Sequence, residues 1–231
     1  MIRNIRAVLW KQIKDTFRNK TILIQFIMFP VLTLIMENVV NIEELPEHFF
    51  VKLFAVMYVG MAPLTAMSAV ISEEKEKNTL RVLLMSNVKS MEYFFGVGIY
   101  IWAVCMIGAG VFSICGEYKG SSWVKFMFIM AVGIFVSILV GAVIGTWSKN
   151  QMMATSVTVP VMMVVSFLPM LSMFNGNIEK ISKLIYSGQM RTLIGNIENL
   201  EVSMENILVL SINMGIAVLG FWISYRRSGL E

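Results

Sequence analysis

The residues with the most scope for chemistry fall in one run, Glu73-Glu74-Lys75-Glu76-Lys77-Asn78-Thr79-Leu80-Arg81. Alternating carboxylates and ammonium groups at this density favour ion pairing, and Glu73 and Lys77 have the i,i+4 spacing of a pair on one helix face. Leu80, Leu83, Leu84 and Val88 then recur at helical spacing, which predicts a short amphipathic helix lying parallel to a membrane on its cytoplasmic face. Ser90 is placed to cap the next helix, with Glu92 at its positive end. From the residues alone the segment is either an ordinary loop held to lipid or a docking site for a cytosolic partner.

Other chemistry is excluded by counting. One histidine and two cysteines fall short of a His/Cys zinc site, which takes about four ligands. His48 follows Glu43-Glu44-Leu45-Pro46-Glu47, with no serine or cysteine nucleophile nearby, and is expected to be a solvated loop residue. Cys105 and Cys115 lie about 15 Å apart on a helix, beyond the roughly 7 Å limit for a disulfide, so both are expected to be packing residues. No GxxxxGK[ST] phosphate loop occurs, so no ATP hydrolysis is expected of this chain. The net charge of +4 would suit nucleic acid, but in so apolar a chain basic residues are expected to set membrane topology.

The elements that must position the charged run are membrane helices. Of the 231 residues, 57% are hydrophobic and 15% charged, where a soluble domain is nearer ~25% charged. Six apolar segments are each about as long as a bilayer crossing requires: Ile22–Val40, Phe49–Ser72, Phe94–Gly116, Phe126–Trp147, Met152–Phe174 and Ile207–Tyr225. Residues 1–20, the second-to-third connection, Lys149 and the Arg226-Arg227 tail hold thirteen of the 19 lysines and arginines, which predicts that both termini are cytoplasmic. The first 20 residues are too charged for a cleavable signal peptide. They read instead as an interfacial amphipathic helix, with Ile2, Ile5, Leu9, Trp10, Ile13 and Phe17 on one arc and Arg3, Lys11, Lys14 and Arg18 on the other.

Two further patterns concern packing. Gly133, Ser137, Gly141 and Gly145 keep a strict four-residue spacing in the fourth segment, a small-residue face for close helix contact within the chain or with a second subunit. Pro30, Pro63, Pro160 and Pro169 sit inside predicted spans, where each removes a backbone donor. At the opposite, outer side, residues 175–206 form the longest connection. Ile178, Ile181 and Ile185 share one helical face there, Ser187-Gly188 is expected to break it, and Met190, Leu193, Ile194 and Ile197 form another. Candidates for a substrate pathway or outer gate are Glu37 and Asn38 at the end of the first span, and Met162, Pro169, Met170 and Met173 in the fifth. Lys52 stands near them at the start of the second span.

The stretch Glu74-Lys75-Glu76-Lys77-Asn78-Thr79-Leu80, followed by Leu83-Leu84-Met85-Ser86-Asn87-Val88, resembles the signature of ABC-2 type permeases. Gly141 to Gln151, Pro160 and Ser166-Phe167-Leu168-Pro169 fit the same pattern. Asn78 stands where that family usually has glycine and Lys75 where it has arginine. Asparagine tolerates left-handed backbone angles better than most residues, which would preserve the turn.

The resemblance implies an all-α polytopic permease in a bacterial cell membrane, a single domain over 1–231. Its interfacial helix would span 1–20, its cytoplasmic coupling segment 73–93 and its outer re-entrant or amphipathic segment 175–206. It further implies an exporter of a hydrophobic or amphipathic substrate that pairs with a second permease copy or a paralogue and with two cytosolic ATPase subunits. Those subunits would bind the ATP and Mg, and no cofactor or nucleic acid is expected on this chain. Glu73, Glu74, Glu76, Lys77, Thr79, Leu80, Leu83 and Leu84 would form the ATPase-coupling element, so Leu80→Asp or Leu84→Asp is expected to release the ATPase. Two other readings of the composition are a non-transporting immunity or scaffold protein and an ion-coupled transporter. The second is disfavoured by the absence of a clear mid-membrane carboxylate or basic relay.

Overall fold

The computed structural model describes residues 2–18, 20–40, 45–86, 88–198, 200 and 202–227, and among them the regular structure is entirely helical. In order the helices are α1 (Ile2–Arg18), α2 (Lys20–Val39), α3 (Phe49–Glu76), α4 (Thr79–Met85) and α5 (Ser90–Cys115). They continue as α6 (Gly120–Trp147), α7 (Gln151–Leu171), α8 (Gly176–Ser182), α9 (Tyr186–Gly195) and α10 (Met204–Arg227). Glu43, Glu44 and Asn87 lie outside the described residues, as do the side chains of Ile2, Phe17, Arg18 and Lys20. Five of the helices, α3, α5, α6, α7 and α10, are long and apolar enough to cross a membrane, whereas the described apolar stretch of α2, Leu23–Val39, is shorter.

The central helix is α3, which packs against α2, α5, α6, α7 and α9. Its seam with α6 accounts for the small-residue spacing, and the partner of that face lies within the chain. A Cβ on Gly141 would sit 2.5 Å from the Leu64 carbonyl oxygen, and one on Gly145 would meet Ile71 at 2.8 Å. Gly133 faces Val59 and Met190 in the same way. Lipid supplies no hydrophobic drive between helices, so close backbone approach and buried polar bonds hold such a seam.

Ser137 completes that face and repairs a helix defect. Pro63 has no N–H, so the carbonyl of Val59, four residues earlier, loses its helical donor. The Ser137 hydroxyl lies 2.6 Å from that Val59 oxygen and donates to it, while the Tyr186 hydroxyl on α9 stands 2.7 Å from Ser137 Oγ and donates in turn. A neighbouring helix thereby satisfies the group that proline freed, as the membrane interior requires.

The helix break in the outer connection falls at residues 183–185, and Ser187-Gly188 lie inside α9. Gly188 is present for clearance: a Cβ there would stand 2.0 Å from the Ser182 carbonyl oxygen. Helix α9 is not a surface strip, because Tyr186, Gln189, Met190, Leu193 and Ile194 are buried where it packs among α3, α6, α7 and α10. Gln189 Oε1 accepts from Asn206 Nδ2 at 2.5 Å, and Asn213 Nδ2 donates to the Leu184 carbonyl at 3.0 Å, which ties this turn to α10.

Candidate functional site

The charged run does not form a loop. Helix α3 continues through it to Glu76, extended by the predicted Glu73–Lys77 pair at 2.5 Å, and the break comes at Lys77-Asn78. Bonding to Glu73 raises the Lys77 ammonium above the ordinary lysine range. Asn78 takes φ 57° and ψ 10°, the left-handed conformation that its side-chain type tolerates, and α4 starts immediately after it.

Each of the next three charges serves a different helix. Glu74 is buried, and its Oε1 accepts from Lys11 Nζ at 2.5 Å and from Gln12 Nε2 at 2.7 Å, both on α1. Lys75 Nζ donates to the carbonyls of Thr146 and Ser148 at 2.6 Å each, closing the C-terminal end of α6, where a cation meets the helix dipole favourably. Glu76 Oε2 accepts from the Gln151 amide at 2.7 Å, at the positive end of α7. Thr79 Oγ1 adds a bond to the Glu74 carbonyl at 3.2 Å, which fastens α4 to the end of α3. Five helices therefore meet on three consecutive charged positions and one threonine.

This junction reorients α1 relative to its predicted arcs. The inward face of α1 carries Val8, Gln12 and Thr16, all buried, while Trp10 is 60% exposed with Lys14 Nζ over its ring at 5.4 Å. Lys11, expected on the solvated arc, turns inward because a buried carboxylate needs donors. The far side of the same contact is Gly96 on α5, where a Cβ would come within 2.9 Å of Val8. Near the start of both helices, Asn4 Nδ2 donates to Glu92 Oε2 at 2.8 Å. Glu92 also accepts from the Lys89 amide at 3.1 Å, so Lys89 occupies the N-cap position and Ser90 the first helical one.

Helix α4 has two apolar faces. Leu80 is only 2% exposed, and Leu83 and Leu84 pack against the same core, so this side is an anchor to the bundle. An aspartate at Leu80 would bury an unpaired carboxylate here, and loss of a partner would not be its specific effect. The opposite side shows Val82 (61% exposed) and Met85 (81% exposed), three residues apart, beside the exposed Arg81. Sequence spacing singled out the leucines. The signal for the other face was the surplus of apolar residues in Thr79–Met85, more than one stripe can hold.

At the other end of α3 a cavity of about 370 Å³ opens between α3, α7 and α9. Pro169, Met170 and Met173 line it together with Leu53, Val56 and Met57, and Lys52, Lys183 and Arg191 stand at its polar part. Lys183 pairs with Glu179 at 2.9 Å and holds that carboxyl below the usual glutamate range. Arg191 donates to Ser172 Oγ at 2.5 Å, and burial lowers its guanidinium pKa. The other three predicted pathway residues lie elsewhere. Glu37 Oε1 is 3.2 Å from Nδ1 of His48, which is therefore a half-buried partner and not a free loop residue. Asn38 bonds back to the Leu34 carbonyl of its own helix at 2.7 Å, and Met162 does not line the cavity. Cys105 and Cys115 are both free thiols.

A bundle of long apolar helices stitched by buried polar bonds defines a multi-pass membrane protein. The family model of the ABC-2 type transporter matches residues 3–186, and the chain belongs to that family. It is thus a permease of an ABC transporter, the membrane domain and not the ATPase, of a kind that works with ABC ATPase subunits and dimerises. A comparison with curated proteins finds no match.

Proposed function

We propose that this chain is the membrane half of an exporter that moves a hydrophobic or amphipathic compound, with ATP and Mg bound by two copies of a cytosolic ATPase subunit. On this reading α2 completes a set of six spans and both termini lie in the cytoplasm of a bacterial cell. A second copy of the chain, or a paralogue, completes the pathway. Helix α4 is the coupling helix, with Val82 and Met85 toward the ATPase and Leu80, Leu83 and Leu84 holding it to the permease. Glu73, Glu74, Glu76, Lys77 and Thr79 carry the displacement onward.

The observation that supports this most directly is the division of Glu74, Lys75 and Glu76 among α1, α6 and α7. A push on α4 reaches Glu74 through Thr79 and is shared by every helix bonded there. The outer cavity suits an amphipathic substrate, since one wall is methionine and aliphatic side chains and the other carries Lys52, Arg191 and the Glu179–Lys183 pair.

The test is a double variant on the outward face, Val82→Asp with Met85→Asp, in the complex isolated from membranes. Insertion and yield are expected to be unchanged because both side chains are exposed, while the ATPase is lost from the purified complex. Full retention of the ATPase would overturn the assignment of α4.

A further inference from the structure

Beside α4 lies a second cleft, of about 680 Å³, whose charge is of one sign. Lys75, Arg81, Lys149 and Arg227 line it, and among the described residues no Asp or Glu lines it. The acids of the nearby run are engaged elsewhere, Glu73 with Lys77, Glu74 with α1 and Glu76 with the Gln151 amide. Four cations around one cleft sum to a local positive potential that attracts an anion.

The setting of the cleft identifies the anion. Its walls are the last turns of α6 and α10, both apolar helices of membrane-crossing length, and Trp147 at 52% exposure has the amphipathic ring typical of the membrane interface. Away from the cleft both helices carry exposed apolar side chains along their length, Phe135 on α6 and Leu219 and Ile223 on α10. A soluble anion would use only the cationic rim, whereas a phospholipid uses the rim and the apolar wall together. We propose that this cleft holds the phosphate headgroup of an anionic phospholipid, with Arg81, Lys149 and Arg227 as its ligands and the acyl chains laid along α6 and α10. The site adds to the coupling assignment and rests on it only in placing the cleft beside the ATPase.

The probe is Trp147 itself. In the full chain with Trp10, Trp102, Trp123 and Trp222 changed to Phe, reconstituted in nanodiscs, quenching by brominated phosphatidylglycerol should exceed quenching by brominated phosphatidylcholine at equal mole fraction. Changing Arg81, Lys149 and Arg227 to Gln should remove that preference, each charge contributing about fivefold, from the ~1 kcal/mol typical of a basic residue at an anionic surface. Because these three side chains are exposed, the variant should keep its fold, and native mass spectrometry of the otherwise wild-type chain gives a second count of retained phosphatidylglycerol. Equal quenching by both lipids, or an undiminished preference in the triple variant, would overturn the proposal. So would displacement of the lipid by inorganic phosphate, which would name a soluble ligand. Absence of the preference in the complex with its ATPase would give the cleft to that subunit and equally overturn it. Loss of the ATPase from the Val82/Met85 variant with lipid preference intact would separate the two assignments.

Discussion

Glu74→Ala should free α1 from the bundle while leaving the rest of the chain folded. The carboxylate makes two bonds to α1, and their contributions differ with exposure. The Gln12 bond, 2.7 Å long and buried, is charge-assisted, and leaving its donor unmet costs about 1–3 kcal/mol. Lys11 lies closer, but its side chain is 31% exposed and water takes over when the partner is lost, so its share is about 0–1 kcal/mol. One term opposes these. Glu74 Oε2 is buried without a hydrogen bond of its own, and removing it returns about 1 kcal/mol. The net is about 1.5 kcal/mol, or roughly thirteenfold in the equilibrium for lifting α1. Hydrogen exchange read by mass spectrometry on the nanodisc-embedded chain measures this directly: peptides of α1 should exchange roughly tenfold faster, and those of α6 and α10 should be unchanged. Glu73→Ala is the internal control, since its pair with Lys77 is an exposed i,i+4 contact that solvent screens. Unchanged exchange in α1, or equal acceleration across all helices, would refute the view that this carboxylate is the fastening of α1.

Asn78→Gly should leave thermal stability within a few tenths of a kcal/mol, whereas Asn78→Val should lower it by about 1–2 kcal/mol, because a β-branched residue resists φ 57°. Gly141→Val forces a side chain against the Leu64 backbone oxygen and should destabilise by at least the 1–3 kcal/mol usual for overpacking, read as a fall in Tm of the detergent-solubilised chain. The Glu179–Lys183 pair gives a pH test. Since the Glu179 pKa is lowered, the contribution of the pair is fully present above the ordinary glutamate range and is lost as pH falls through the lowered value. Exchange in α8 should therefore accelerate in acid, and Lys183→Gln should return the Glu179 titration, followed by carboxyl NMR, toward the ordinary value.

The apolar segments were legible because membrane helices carry their signal in composition and length, and five of the six predicted segments correspond to helices of crossing length. The αL turn was legible too, since Asn78 is one of the few residue types suited to it. What sequence reading missed depends on partners far away along the chain. Nothing around Pro63 announces that Ser137 will repair its open carbonyl, and nothing around Lys11 reveals that Glu74 will turn it inward. Exposure of α4 was misjudged for a related reason. A stripe of leucines says that one face is buried but not by what, and here the bundle itself covers Leu80 and leaves Val82 and Met85 outside.

The same bonds constrain how the bundle can move. The α3–α6 seam brings backbone carbonyls against Gly141 and Gly145 and the Val59 side chain against Gly133, so sliding either helix would drive side chains into carbonyl groups; this pair behaves as one body. Between α3 and α7 the Ser68–Thr158 hydroxyl pair at 2.8 Å re-forms with a small rotation, while Gly60 against Ser166 is the close point of the seam. Both ends of the α3–α7 seam carry a functional feature: the Glu76–Gln151 bond at one and the cavity lined by Met57, Pro169 and Met170 at the other. Glu76 sits only three residues from Thr79, so a displacement of α4 acts on the seam at the end where α7 is fastened. The helix pair fastened beside α4 is therefore also the pair that borders the cavity. This is the geometry a permease needs if work done at α4 is to change the space available to a substrate at the far end.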